Sequence, residues 1–117
     1  MKRELPIEDC YVKGWLAISK SCSYYYYSMD NFIRVWSNKD SDNFVVNPNP
    51  LYFEFNLGLS NLNELNKEFK DLLKALQYAL DLEKKYIKHN MAARIKGMMR
   101  LTVMITKLKE RRKVKCQ

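Results

Sequence analysis

The spacing of apolar residues predicts one helix near the N-terminus and a longer one in the second half of the chain. In residues 6–20 the apolar positions recur every three or four residues, at Ile7, Tyr11, Trp15 and Ile18. Residues 61–88 repeat the pattern at Leu62, Leu65, Phe69, Leu72, Leu76 and Leu80. This period places the apolar side chains on one face of a helix. Asn61 and Glu64 form a capping-box-like pair at the start of the second helix.

Residues 91–112 show the same period, so the sequence predicts a further C-terminal helix. Its predicted apolar face carries Met91, Ile95, Met98, Thr102 and Ile105. Steps of about 100° per residue place a cationic stripe on the opposite face, made by Lys96, Arg100, Lys107 and Arg111. Asn90 can cap this helix, which favours a break at His89-Asn90. Without the break, residues 61–112 would form one long kinked helix.

Between the helical segments, residues 32–57 predict a short antiparallel β-meander. Its strands are expected at 32–36, 44–46 and 51–57, and the last alternates apolar and polar residues as a half-buried strand does. The tyrosine run 24–27 fits either a strand or an irregular segment. In a regular strand, Tyr24 and Tyr26 would face one side and Tyr25 and Tyr27 the other.

These elements predict an α+β fold, with the N-terminal helix, the meander, and two C-terminal helices or one long kinked helix packed on it. The 117 residues are near the usual size of one domain, so we expect a single domain over 1–117. The basic tail, residues 110–117, is expected to fray.

Positive charge is concentrated in the second half of the chain. Residues 1–60 carry six Lys or Arg and seven Asp or Glu, for a net charge of −1, whereas residues 61–117 carry fifteen and six, for +9. Within 84–117 there are twelve Lys or Arg and one acid, Glu110. Aromatic residues show the opposite bias. The cations therefore mark the C-terminal helix as the candidate binding surface.

Catalytic and metal-binding patterns are missing from the sequence. There is one histidine, His89, and the three cysteines are not closely spaced, so we predict no metal site and no nucleophile–histidine pair. The three glycines form no phosphate-binding loop, and no cofactor is predicted. The absence of an apolar leader or membrane span, with an odd number of cysteines, predicts a cytoplasmic protein. The missing catalytic patterns predict a non-enzymatic one.

The sequence thus predicts a basic binding protein whose partner is RNA, DNA or a nucleoprotein complex. The binding residues are expected to include the cationic stripe with its continuation at Arg112 and Lys113. Tyr25, Tyr27 and Tyr52 are expected on the outer face of the meander, where they could stack on bases or anchor a protein partner. One alternative is an inhibitor or adaptor of the kind encoded by phages and mobile elements, which docks on an acidic protein surface or on a larger, RNA- or DNA-loaded effector. A second is binding of helix 91–112 to acidic lipid, with Met98, Leu101 and Leu108 inserted.

Overall fold

In the part of the chain that the structure describes, a four-stranded antiparallel sheet and two C-terminal helices form the α+β fold that the sequence predicts. The computed structural model describes residues 22–38, 42–49 and 65–115. The strands are β1 (Cys22–Tyr27), β2 (Ile33–Asn38), β3 (Phe44–Pro48) and β4 (Lys67–Phe69), adjacent in that order. The helices are α1 (Leu72–Lys85) and α2 (Met91–Lys115). The predicted N-terminal helix, 6–20, and the predicted strand at 51–57 lie outside the described residues.

The tyrosine run forms part of β1, and a bulge in that strand explains why two consecutive tyrosines are buried. Tyr24 pairs with Trp36 and Tyr26 pairs with Val35, so Tyr25 is an extra residue in the ladder. A bulge of this kind interrupts the alternation of a regular strand. Tyr25 and Tyr26 are both fully buried in the main core. The strict alternation expected for a regular strand is therefore wrong at this position.

A tight turn connects β1 to β2 and positions the side chains that the helices later meet. The Asn31 amide donates to the Ser28 carbonyl at 2.9 Å, and the Ser28 amide donates to the Ile33 carbonyl at 2.9 Å. Asn31 has a φ of 59°, in the left-handed region that asparagine tolerates better than most residues. The turn also carries Asp30, which reaches α2.

Helix α1 begins later than the sequence predicts. The segment 67–69, expected inside a helix from 61 to 88, is instead the edge strand β4, paired with β3. The predicted caps, Asn61 and Glu64, lie outside the described residues. The helix is capped by Asp71, whose side chain accepts a hydrogen bond from the Leu73 amide at 3.2 Å.

The predicted break between the helices is confirmed at residues 86–90. Asn90 adopts a φ of 55°, its side-chain oxygen accepts from the Ala93 amide at 3.5 Å, and its carbonyl accepts from Arg94 at 3.0 Å. Helix α2 follows and extends to Lys115, and the expected fraying of the tail, residues 110–117, stays a prediction.

The face that α2 turns toward the core differs from the predicted one. Met91 and Ile95 are 54% and 43% exposed, and Thr102 is exposed as well. Met98 is half-buried, and Ile105 is the one member of the predicted apolar face that is buried. The residues that point inward are Ala93, Arg94, Gly97, Leu101, Ile105 and Leu108. The helix is therefore rotated about its axis from the predicted orientation.

The core lies between the sheet and the two helices. Helix α1 packs on β2, β3 and β4, and α2 packs on α1. The sheet contributes Ile33, Val35 and Val46, while the helices contribute Leu72, Leu76, Leu101 and Leu108. The Tyr25 ring meets the Phe44 ring edge-on, with centroids 5.3 Å apart. The helices thus cover one side of the sheet and leave the far side of α2 at the surface.

Asp71 combines two stabilising roles, which its variants should separate. It caps α1 and forms an ion pair with Arg112 at 2.5 Å. Asp71→Ala loses both, and we expect it to lower the free energy of unfolding by about 1 kcal/mol. Asp71→Asn keeps a capping oxygen, so its loss should be smaller. Thermal and urea unfolding measure both, and equal losses would contradict the capping role.

The same carboxylate should make stability depend on acid. The hydrogen bond from Arg112 lowers the pKa of Asp71 below its ordinary value. Because the folded pKa lies below the unfolded one, this contribution is present above the unfolded value of about 3.9 and is lost as the pH falls through the folded value. Unfolding measured between pH 7 and pH 2 should therefore show a smaller acid-induced loss in Asp71→Asn than in the unchanged protein.

Candidate functional site

A buried carboxylate, Glu83, joins β1, the β1–β2 turn, α1 and α2. It is fully buried on α1. The Tyr26 hydroxyl donates to its Oε2 atom, and the Ser28 hydroxyl donates to the same atom at 3.1 Å. Burial raises the pKa of Glu83, while the Tyr26 hydrogen bond and the Arg94 charge act in the opposite direction. The carboxylate is therefore held in place by neighbours from three elements.

Glu83 is part of a buried network with Tyr26, Ser28, Asp30 and Arg94. Arg94, on α2, supplies its positive charge and is itself fully buried. Its Nε atom lies 2.6 Å from Oε1 of Glu83, and its Nη2 atom forms an ion pair with Asp30 in the β1–β2 turn. The guanidinium lies over the Phe32 ring, 3.8 Å from the centroid. A planar guanidinium with several donors suits this position, because it contacts two carboxylates and a ring at once.

Gly97 leaves the space in which the network is built. A Cβ at this position would lie 2.1 Å from Oε2 of Glu83 and 2.4 Å from the Tyr26 hydroxyl oxygen. Burial and the nearby Glu83 charge raise the pKa of Tyr26 well above its ordinary value, so the phenol stays protonated and donates. Gly97, although glycine weakens a helix, is thus required by the close approach of α2 to Glu83 on α1 and Tyr26 on β1.

Two of the predicted cationic residues, Arg100 and Arg112, are half-buried and contact other elements of the fold. Arg100 donates from Nη1 to the Tyr27 carbonyl at 2.9 Å, and its guanidinium carbon lies 5.3 Å from the ring centroids of both Tyr26 and Tyr27. Arg112 pairs with Asp71, and both side chains are about one third exposed. These arginines connect α2 to β1 and to α1. They are part of what holds the helix in place, which the prediction of a wholly outward stripe missed.

The remaining cationic residues of the prediction are exposed on α2. Lys96, Lys107, Arg111 and Lys113 all lie at the surface, together with Lys109. Neither Lys96 nor Lys107 forms an ion pair with the described residues. The one acid on this helix, Glu110, is also exposed. The outer side of α2 therefore carries a strong excess of positive charge.

The predicted aromatic residues do not form a surface with these cations. Tyr25 is fully buried, so the expectation that it anchors a partner on the outer face is wrong. Its burial follows from the bulge, which leaves it in contact with Phe44. Tyr27 is half-buried beneath Arg100, and Tyr52 lies outside the described residues. Among the described residues, the candidate site therefore depends on charge.

Sequence reasoning missed the buried network, although three positions carried a signal for it. Glu83 follows Leu72, Leu76 and Ala79 at the spacing of the apolar face of α1. Arg94 precedes Leu101 and Leu108 at seven-residue steps, which also place it on an apolar face. An acid and a base on facing apolar stripes, with a glycine at Gly97, indicate a buried pair, because isolated buried charges are too costly.

Within the described residues, no group of three His, Cys, Asp or Glu side chains could hold a metal ion. His89 lies beside Phe32, with ring centroids 5.3 Å apart.

None of the helices described here is both long and apolar enough to cross a membrane. Comparison with protein-family models, with curated proteins and with solved structures gives no match.

Gly97→Ala tests whether the network limits the packing of α2. In an unconstrained helix this change would stabilise by roughly 1 kcal/mol, because alanine has the higher helix propensity. Here we expect a loss of about 1–3 kcal/mol, because the new methyl group overlaps Glu83 and Tyr26. Urea unfolding provides the measurement. In a Glu83→Ala background the added cost should shrink, and full additivity of the two changes would refute the overlap.

Arg94 offers a second test, with Lys96 as an exposed control on the same helix. Arg94→Met leaves the buried Glu83 without its counter-ion, so we expect a loss of about 3–5 kcal/mol. Arg94→Lys should recover part of this loss at most, since one ammonium group cannot replace a planar guanidinium that contacts the carboxylates of both Glu83 and Asp30. Lys96→Met should change stability by less than about 0.5 kcal/mol. Similar stabilities for Arg94→Met and Lys96→Met would show that the buried pair contributes nothing.

Proposed function

We propose that this protein is a non-enzymatic binding protein that contacts RNA, DNA or a nucleoprotein complex through the cations on the outer side of α2. The observation that carries the proposal is the exposure of Lys96, Lys107 and Lys113 on a helix with a single acid. An ordinary solvated helix face interleaves both signs of charge. The imbalance on α2 favours an anionic partner.

Phosphate is the anion that this arrangement suits best. Lysines along a helix can follow a row of phosphates, and the release of condensed counterions makes such binding favourable and strongly dependent on salt. Base-specific readout has no support from the described residues, because the buried Tyr25 and the half-buried Tyr27 offer little surface for stacking. We therefore expect binding that responds to charge and shape more than to sequence.

A second candidate function is that of an adaptor or inhibitor docking on an acidic protein surface or on a nucleic-acid-loaded effector. One observation favours it: α2 also exposes a row of large apolar side chains beside its lysines, and nucleic-acid backbones do not require such a row. Apolar exposure of this kind is typical of protein–protein contacts. The two functions are compatible, because a nucleoprotein complex offers both kinds of surface.

Titration of labelled single- and double-stranded RNA and DNA between 50 and 200 mM salt tests the nucleic-acid proposal. If about three lysines contact phosphates, the slope of log affinity against log salt should be about −2 to −3. The variant carrying Lys96→Glu, Lys107→Glu and Lys113→Glu should bind at least about tenfold more weakly and with a flatter slope. Arg94, Arg100 and Arg112 are left unchanged, because their loss would disturb the fold.

The matched control reverses three exposed lysines elsewhere, on β4, in the β4–α1 connection and at the start of α1: Lys67→Glu, Lys70→Glu and Lys74→Glu. It changes the net charge by the same amount and should retain most of the binding. Equal weakening by the two variants would mean that binding follows net charge and not the surface of α2. Absence of binding to every oligonucleotide at 50 mM salt would reject the proposal.

A further inference from the structure

Helix α2 exposes a continuous row of apolar side chains, here called the apolar ridge, made by Met91, Ile95, Met99 and Val103. Their exposed fractions are 54%, 43%, 64% and 52%. The four residues follow one another at steps of four, so they form a single i, i+4 row. Isolated exposed apolar residues are ordinary, but a contiguous row of them indicates a contact surface.

The direction of the ridge distinguishes between possible partners. A step of four residues turns about 40° beyond a full helical turn, so the side chains of Met91 and Val103 point about 120° apart. A helix that lies on lipid keeps its apolar face parallel to its axis, whereas this row winds around the helix. Rows of this type are inclined to the helix axis and pack well against a second helix that crosses at about 50°. The ridge is therefore shaped for a crossing helix.

A cleft along the ridge adds a place for one inserted side chain. It has a volume of about 380 Å³ and is lined by Met99, Arg100, Val103 and Met104. Methionine side chains are flexible and polarisable, and they adapt to apolar groups of different shapes. The cleft is shallow, and an apolar anchor of the partner helix would contact Met99, Val103 and Met104 there.

The charges beside the ridge indicate the chemistry of that helix. Lys96 and Lys107 are exposed next to it, and no described acid lies between Met91 and Val103 on α2. A second copy of this chain would bring the same cations into contact, which is unfavourable. An acidic amphipathic helix would place its carboxylates opposite these cations.

We propose that the apolar ridge is the docking site for an acidic amphipathic helix of a protein partner. The partner's apolar residues, spaced by three or four, pack against Ile95 and Met99, and its acids face the exposed lysines beside the ridge, Lys96 and Lys107. This inference deepens the adaptor function and rests on it, while the nucleic-acid contact needs the lysines alone.

A designed peptide provides the probe. It has 18 residues, with Leu at four-residue steps on one face and Glu and Gln elsewhere, and its control has the same composition in scrambled order. Calorimetry should detect binding of the first peptide and at least about tenfold weaker binding of the second. The variant Ile95→Ser, Met99→Ser should lose at least about tenfold in affinity. The control substitutions Thr102→Ser and Thr106→Ser change neighbouring exposed positions and should leave the affinity for the peptide unchanged.

The proposal would be overturned if both peptides bound with the same affinity, or if the Ile95→Ser, Met99→Ser variant kept its affinity. Either result would show that the peptide binds through charge and not through the apolar ridge. A dimer in sedimentation that dissociates in this variant would assign the ridge to a second copy instead. Ridge-dependent flotation with anionic vesicles would assign it to lipid. The Ile95→Ser, Met99→Ser variant should keep its affinity for oligonucleotides. If the peptide test fails, the nucleic-acid proposal is therefore unaffected. If the protein binds the peptide but no oligonucleotide, the docking proposal is unaffected.

Discussion

The Glu83–Arg94 ion pair fixes how α2 sits on the rest of the fold. Removing two charges from water costs several kcal/mol, and their attraction recovers this only with close geometry and further hydrogen bonds. Tyr26, Ser28 and Asp30 supply those additional contacts from β1 and the turn that follows it. An apolar contact between α1 and α2 would tolerate sliding and rotation. The hydrogen bonds that Tyr26, Ser28 and Arg94 donate to the carboxylates of Glu83 and Asp30 are directional, so together they select one register and one rotation of α2.

That rotation divides the basic residues of α2 into two groups with different roles. Arg94, Arg100 and Arg112 face β1, the turn and α1, where they contact carboxylates, aromatic rings and a carbonyl. Lys96, Lys107, Lys109 and Lys113, by contrast, are exposed, as is Arg111. Arginine suits the buried positions, since a guanidinium loses less hydration on burial and makes several hydrogen bonds in one plane. The cations that are free to bind a partner are therefore fewer than the net charge suggests.

The sequence was sufficient to predict the β2 and β3 strands and the break at His89-Asn90, because each has a strong local signal. It was insufficient for β4, because Leu65, Phe69 and Leu72 continue the spacing of the helix that follows. The three residues Lys67–Phe69 became a strand by pairing with the edge of β3, an interaction that no local pattern records. The bulge at Tyr25 likewise depends on the pairing of β1 with β2, which the local sequence pattern does not record.

The orientation of α2 was hidden by its composition. Apolar residues occupy so much of its circumference that several rotations would bury a similar area. Hydrophobicity alone would favour burying Met91, Ile95 and Met99, yet this would move Arg94 toward solvent and leave Glu83 buried without a counter-ion. The penalty for an unpaired buried charge is larger than the gain from covering partly exposed methionines. The apolar ridge is thus exposed because a polar interaction elsewhere dictates the rotation, and a large apolar surface held outward in this way is available to a partner without any rearrangement of the core.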